Sequence, residues 1–143
     1  MPYIKIWIHA VFGTKRHQPF LLKEIKDKVI KHIFSNAKEK SIYLDSVNGN
    51  TDHLHCLISL GGSQNISKVL NLIKGESSFW INNNQITKTK FEWADEYYAV
   101  SVSESQVSAV RNYIKNQEQH HSKLSYKEEC EAFIKKFGFK QLG

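Results

Sequence analysis

The chain contains little cysteine and no apolar run long enough to cross a membrane. Its 143 residues include two cysteines, Cys56 and Cys130, too few for the disulfide framework of a small secreted protein. No apolar run approaches the roughly 18 residues that a membrane-spanning helix needs. The first residues, Met1 to Lys5, have no apolar core of the kind that signal peptides carry. These deficits predict a soluble, cytoplasmic protein with free thiols.

Glycine-rich phosphate-binding loops are also missing. The seven glycines form no Walker-type motif, and the sequence shows no internal repeat, low-complexity tract or linker. A chain of this length is expected to form a single domain, here residues 1–143. Positive charge, in contrast, is plentiful: 20 basic and 14 acidic residues give a net charge of +6. This balance suits a polyanionic partner, although a basic protein without a nucleic-acid role could share it.

Hydrophobic periodicity predicts four strands and four helices. Asn65 is the expected N-cap of the second helix, and Ser125 with Glu128 has the spacing of a capping box at the start of the last one. The order β-α-β-β-α-β predicts an α+β, ferredoxin-like (RRM-like) fold, with an antiparallel sheet, helices on one face and additional C-terminal helices. The predicted ranges are strands at 3–12, 42–47, 53–60 and 97–102, and helices at 21–40, about 66–80, about 105–121 and 125–137.

The most informative motif is His53-Leu54-His55 in the third predicted strand. Side chains alternate between the two faces of a strand, so both imidazoles point the same way while Leu54 and Cys56 point into the core. Two imidazoles on one face can bind a single metal ion. Cys56 faces away from them, which argues against a thiolate-rich zinc site. A pair of structural histidines remains the alternative to a metal site.

Tyr113 and Gln117 form a second informative pair, on the third predicted helix. Residues four apart share one face of a helix. A carboxamide oxygen can bind a hard cation, and a phenol can act as a nucleophile. Taken alone, this pair is better explained by a tyrosine packed partly in the core and a solvated glutamine. Together with the two histidines, it supplies the groups for metal-assisted attack on a phosphodiester.

Five segments in order extend these motifs along nearly the whole chain, and on them the sequence resembles the single-tyrosine HUH transposases, the TnpA type of the IS200-like family. These mobile-element enzymes move insertion sequences as single-stranded DNA. The combination is more specific than the His-x-His motif alone, because the segments occur in the same order as in the family. The segments are Ile8 to Lys15, Thr51 to Leu60, Leu72 to Ser78, Ala99 to Ser103, and Tyr113 to His121.

The resemblance implies a function and a set of site residues. His53, His55 and Gln117 would bind Mg²⁺ or Mn²⁺, and Tyr113 would be the catalytic nucleophile. Cleavage would leave a 5′-phosphotyrosine and a free 3′-OH. The enzyme would be a homodimer that recognises hairpins in single-stranded DNA at the ends of the element. The tyrosine-bearing helix of one subunit would work with the histidines of the other.

Several polar residues are weaker candidates for the same site. Asp52 precedes the histidines and is a candidate to orient one of them, although it falls on the opposite face and a role in the turn explains it at least as well. His120 lies near the Tyr113 face and could approach phosphate, although a solvated helix end also explains it. The basic residues are expected to act as a group on the DNA backbone. The candidates for phosphate contacts are Lys15, Arg16, Lys74, Arg111 and Lys115.

Three other functions are compatible with the sequence. A non-catalytic nucleic-acid-binding module on the same scaffold would bind DNA without forming a covalent adduct. A metal-dependent phosphodiesterase would use water as the nucleophile, and cleavage would survive Tyr113→Phe. A replication or mobilisation nickase would share the chemistry, but such enzymes are usually larger than this chain.

Overall fold

The computed structural model describes residues 2–117 and 125–137, which form a four-stranded sheet with helices on both faces. Short 3-10 turns at Lys15–His17 and Glu104–Gln106 join some of the elements. Among the described helices, none is long and apolar enough to cross a membrane. The elements are β1 (Trp7–Gly13), α1 (Lys23–Glu39), β2 (Tyr43–Gly49), β3 (His53–Ser59), α2 (Ile66–Asn83), β4 (Tyr98–Val102), α3 (Val107–Lys115) and α4 (Tyr126–Phe137).

The sheet has the strand order β2-β3-β1-β4, and every neighbouring pair is antiparallel. The two central strands are therefore β1 and β3, which carry the first and third of the predicted strand motifs. Their register places Gly13 opposite His53 and Val11 opposite His55. The prediction of an α+β, ferredoxin-like arrangement is confirmed.

One face of the sheet packs against α1 and α2 and forms the main hydrophobic core. Phe12 of β1 and Leu54 of β3 are completely buried there, together with Val29 of α1 and Leu70 of α2. Cys56 belongs to the same cluster, as strand alternation predicts. Burial of these side chains supplies most of the driving force for folding, at roughly 25 cal/mol per Å² of apolar surface removed from water.

The opposite face of the sheet is covered by the C-terminal helices. Leu57 and Trp7 pack against Val107 and Ile114 of α3. Next to them, a smaller cluster joins Val11 to Tyr126 and Cys130 of α4. Because His53 and His55 lie on this face, α3 and α4 bury both histidines between themselves and the sheet.

The first strand is shorter than its alternating pattern predicts. Tyr3 is 98 % exposed and the ladder begins only at Trp7, although Leu60 still donates a backbone hydrogen bond to Ile6. Trp7 is paired with Ser59, the last residue of β3. The residues before Trp7 therefore extend past the end of the neighbouring strand, and alternation alone does not make them part of the sheet.

The helix caps agree with the sequence. The Asn65 side chain accepts a hydrogen bond from the backbone N–H of Lys68 at 2.8 Å. At the start of α4, the Ser125 hydroxyl accepts from the backbone of Glu128, and the Glu128 carboxylate accepts from the backbone of Ser125, both at 3.2 Å. This capping box fixes where α4 begins, and so which residues lie in its first turn.

Candidate active site

The two histidines of β3 form the centre of a buried polar cluster. His53 and His55 are both inaccessible to solvent, and their ring centroids lie 5.2 Å apart. They lie on the face of the sheet that α3 and α4 cover. A buried imidazole pair requires hydrogen-bonding partners or a metal ion, because unsatisfied polar groups are costly to bury.

Each histidine is held through its Nδ1 atom by a different neighbour. Asp52 accepts a hydrogen bond from His53 Nδ1 at 2.8 Å. His9 Nε2 and His55 Nδ1 are 2.9 Å apart, so a hydrogen bond joins the two rings. Holding Nδ1 fixes the orientation of the ring and directs Nε2 toward the cluster, as in many metal-binding histidines.

The Glu129 carboxylate of α4 lies where the two Nε2 atoms converge. Its Oε2 atom is 2.9 Å from His53 Nε2 and 3.1 Å from His55 Nε2. Burial raises the pKa of this carboxyl, but the hydrogen bonds and charges of the two histidines outweigh burial and hold its pKa well below the usual range. Burial lowers the pKa of His53, yet the hydrogen bonds to Asp52 and Glu129 give a net increase. Glu129 is therefore an anion paired with the histidines.

Tyr113 of α3 meets the same carboxylate from the other side. Its hydroxyl donates to Glu129 Oε1 at 2.9 Å, and its ring centroid lies 5.5 Å from that of His55. Burial, followed by the charge and hydrogen bond of Glu129, raises the pKa of Tyr113 to about 12, while a hydrogen bond with Gln117 opposes the increase. The phenol is therefore protonated at neutral pH.

Gln117 is fully buried and lies beyond the end of α3, which stops at Lys115 and is capped by Asn116, so the helix predicted at about 105–121 is interrupted there. Its side chain nevertheless hydrogen bonds with Tyr113. The interpretation of Gln117 as a solvated residue is therefore wrong. The four residues singled out in the sequence, His53, His55, Tyr113 and Gln117, come together within one chain.

The donor set of the cluster fits a divalent metal ion. His53, His55 and Glu129 each offer one ligand atom, and these atoms lie within 4.8 Å of one another. Two imidazole nitrogens and one carboxylate oxygen are ligands that several divalent metals accept, with coordination positions left for substrate or water.

Two residues of the cluster, His9 and Glu129, were missed by sequence reasoning. His9 lies on the same strand face as Trp7, and only the register of β1 on β3 shows that this face meets His55. Glu129 lies in the first turn of a helix, where an acidic residue is ordinary because it favours the helix dipole. Its position 74 residues after His55 offers no local signal.

Three of the basic candidates lie around the end of β1 and on α2. Lys15 and Arg16 are exposed, and Lys15 forms a surface ion pair with Glu92 at 3.1 Å. Arg16 has a φ of 59°, a conformation that costs energy for a residue with a side chain. Lys74 is mostly buried, and its ammonium group donates to the Asp95 carbonyl at 3.1 Å.

The remaining candidates lie on or beyond α3. Arg111 binds Asp45 through two hydrogen bonds of 2.8 Å, so its guanidinium is already engaged within the chain. Lys115 is exposed. His120 lies outside the described residues. Of the five basic candidates, Lys15, Arg16 and Lys115 are therefore exposed, whereas Lys74 is largely buried and Arg111 is bound to Asp45.

Comparison with known proteins gives a consistent result. A family model described as "Transposase IS200 like" matches residues 3–117. A structure provisionally described as a transposase of Deinococcus radiodurans R1 is similar, with 21% identity, a TM-score of 0.63, and coverage of 81% of this chain and 93% of that one. A REP-associated tyrosine transposase bound to a REP hairpin has 16% identity, a TM-score of 0.61, and coverage of 87% and 73%.

No curated protein matches the chain. At these identities the two solved structures establish similarity of fold. The family model spans β1 to Gln117, and so includes the His-x-His strand and the Tyr113 helix. The chain belongs to the IS200-like transposase family.

Proposed function

We propose that this protein cleaves and rejoins single-stranded DNA at the ends of an insertion sequence through a covalent 5′-phosphotyrosine on Tyr113. One observation carries the proposal. The Glu129 carboxylate contacts Tyr113 through one oxygen and both histidines through the other. Tyr113 and the two histidines therefore belong to one cluster rather than to separate sites.

The reaction requires Tyr113 to lose its proton and attack phosphorus. The new bond joins the phenolic oxygen to phosphorus, the bond to the 3′ oxygen breaks, and that oxygen leaves as a 3′-OH after taking up a proton. Rejoining reverses these steps with a different 3′-OH, so no nucleotide cofactor is needed. Because the pKa of Tyr113 is raised to about 12, the phenol requires help to ionise at neutral pH.

Mg²⁺ or Mn²⁺, held by His53, His55 and Gln117, is the proposed cofactor. When bound, the ion would polarise the phosphate and stabilise charge on the attacking and leaving oxygens. The protein contributes the orientation of its ligands: Asp52 and His9 hold the imidazoles through Nδ1, which leaves Nε2 to face the ion. Gln117 is buried beside Tyr113, close to the reacting phenol.

The proposed substrate is single-stranded DNA that folds into a hairpin. The net charge of +6 favours binding to phosphates, and one structural relative was solved bound to a REP hairpin. Lys15, Arg16 and Lys115 have exposed side chains that can contact the DNA backbone. Binding should favour a hairpin over a duplex of equal length, and should weaken steeply as salt rises.

The test is a labelled single-stranded oligonucleotide from the flanks of the gene, incubated with protein and Mg²⁺ and analysed on a denaturing gel. Wild-type protein should form a covalent adduct. Tyr113→Phe keeps the ring but lacks the nucleophilic oxygen, so its adduct should disappear. Tyr3→Phe is the matched control, because Tyr3 is 98 % exposed and contributes nothing to the cluster.

The outcomes separate the alternative functions. Cleavage by Tyr113→Phe without an adduct would identify a metal-dependent phosphodiesterase in which water attacks. Hairpin binding by the wild-type protein with neither cleavage nor adduct would identify a non-catalytic binding module. An adduct of undiminished yield in Tyr113→Phe would refute Tyr113 as the nucleophile.

A homodimer with shared active sites is the second part of the proposal. Within one chain the His55 and Tyr113 ring centroids are already 5.5 Å apart, so a complete cluster also forms without exchange. Co-expression of His55→Ala with Tyr113→Phe distinguishes the two arrangements. Shared sites would restore roughly a quarter of wild-type activity for random pairing in a two-fold dimer. No activity in verified heterodimers would assign the reaction to the arrangement within one chain.

A further inference from the structure

The C-terminal helix reaches the proposed metal site through one side chain. Glu129 lies in the first turn of α4 and is 2 % exposed. Its carboxylate contacts two histidines of the sheet and one tyrosine of α3. Three elements that are distant in sequence therefore meet on a single carboxylate.

The contact distances match those between neighbouring ligands of one ion. Donors on adjacent corners of an octahedron with bonds of about 2.1 Å lie about 3.0 Å apart. Glu129 Oε2 lies 2.9 Å from His53 Nε2 and 3.1 Å from His55 Nε2. All three atoms lie within 4.8 Å of one another, so one ion could be held by them together.

The start of α4 also contacts the sheet through Tyr126 and Cys130. The Tyr126 ring stacks on His53, with centroids 4.5 Å apart and planes 14° apart. Cys130 completes a small apolar cluster with Val11. Because Tyr126 and Glu129 both rest on the histidine pair, docking of α4 depends on the same residues that would bind the ion.

We propose that Glu129 is a metal ligand contributed by the C-terminal helix, so that binding of the ion and docking of α4 over Tyr113 are one coupled event. This inference rests on the proposed metal site. Glu129 adds a ligand to the set of His53, His55 and Gln117 without replacing any of them. With Oε2 on the ion, Oε1 remains placed to hold the Tyr113 hydroxyl beside it.

The first experiment titrates the full-length protein with Mn²⁺ and measures the free ion by electron paramagnetic resonance. Glu129→Gln should raise the dissociation constant by at least about tenfold, since even residues outside the coordination sphere change metal affinity by about 10–100-fold. Glu131→Gln is the matched control: it removes the same charge from an exposed position of the same helix. Its affinity should stay within about twofold of wild type.

Coupling is measured by hydrogen exchange of the peptide covering residues 126–137, with and without Mn²⁺. In wild type, the ion should bind the docked state more tightly than the undocked state, and at saturation exchange in α4 should slow by the ratio of these two Mn²⁺ affinities. We expect slowing by at least about tenfold. Glu129→Gln should abolish this protection. Gln117→Ala should weaken binding but keep the protection at saturation, because α4 retains its own ligand.

Glu129→Asp tests whether the effect of Glu129→Gln comes only from loss of the negative charge. It keeps the carboxylate but withdraws it by one methylene, so a ligand role predicts weakened binding, whereas general electrostatic attraction predicts retained binding. Thermal melts verify that each variant folds. Equal Mn²⁺ affinity in Glu129→Gln and Glu131→Gln would overturn the role of Glu129 as a ligand but leave the rest of the proposed metal site standing. Absence of Mn²⁺ binding in wild type would overturn the proposed metal site as well.

Discussion

Gly13 lies directly against the Tyr126 ring of α4, and Gly13→Ala is expected to release that helix. Gly13 is the last residue of β1 and lies opposite His53. A Cβ atom added there would lie 2.8 Å from Cζ and 3.0 Å from the hydroxyl oxygen of Tyr126. The Tyr126 ring cannot yield easily, because it is 4 % exposed and is stacked on His53. The alanine methyl and the docked ring therefore compete for the same space.

The size of the effect follows from two costs. Accommodating an extra methyl in a packed site costs about 1–3 kcal/mol. Releasing the tyrosine forfeits a burial energy of about 1.5–3 kcal/mol. Undocking of α4 removes the clash, so the strain raises the population of the undocked helix, and the core on the other face of the sheet is spared. A loss of 1–3 kcal/mol corresponds to about 5- to 150-fold more frequent opening of α4.

Hydrogen exchange measures this opening directly. The peptide of residues 126–137 should exchange faster in Gly13→Ala, while the peptide of α2 should be unchanged. Gly75→Ala is the matched control: a Cβ at that position meets no atom within 4 Å, so it should stabilise α2 by about 1 kcal/mol through helix propensity.

A second substitution tests the mechanism. Tyr126→Leu removes the ring that the new methyl would strike, so Gly13→Ala should have little further effect in that background. This non-additivity is the signature of residues in direct contact. Wild-type exchange of α4 in Gly13→Ala would refute the argument, as would equal effects of Gly13→Ala with and without the Tyr126 ring.

Two further predictions concern the histidine pair. His9→Phe keeps an aromatic ring but removes the nitrogen that lies 2.9 Å from His55 Nδ1, so Mn²⁺ affinity should fall by about 10–100-fold; unchanged affinity would show that His9 only packs. The ion-free protein should also show a pH-dependent contribution from the cluster. The lowered pKa of Glu129 gives stability that is present above the usual value of 4.5 and lost as pH falls through the folded pKa. The raised pKa of His53 gives stability that is complete below 6.5 and lost as pH rises through the folded pKa. The difference in melting temperature between wild type and Glu129→Gln should therefore be largest between pH 4.5 and 6.5, and a difference that does not vary with pH would contradict this assignment.

Local backbone geometry allowed two residue pairs of the site to be predicted from the sequence. His53 and His55 share a face because strand side chains alternate, whatever the rest of the fold does. The spacing of Tyr113 and Gln117 predicted a shared helix face; the two side chains do meet, although α3 ends at Lys115, between them. Pattern also predicted the βαββαβ order, which the structure confirms. The alternating pattern wrongly predicted that the first strand includes Tyr3 to Ile6, because an alternating segment becomes a strand only where a neighbouring strand pairs with it.

Tertiary structure decided which side chains meet the histidines. His9 reaches His55 across 46 residues through the register of two central strands, and Glu129 reaches it across 74 through the docking of α4. Arg111, a candidate phosphate ligand by charge, is engaged by Asp45, 66 residues away. Periodicity specifies the face on which a side chain lies but not the element packed against that face. The sequence by itself determined the histidine pair and the tyrosine–glutamine pair, whereas packing of the C-terminal helices joined them into one cluster, because such contacts depend on distances between elements that no local pattern contains.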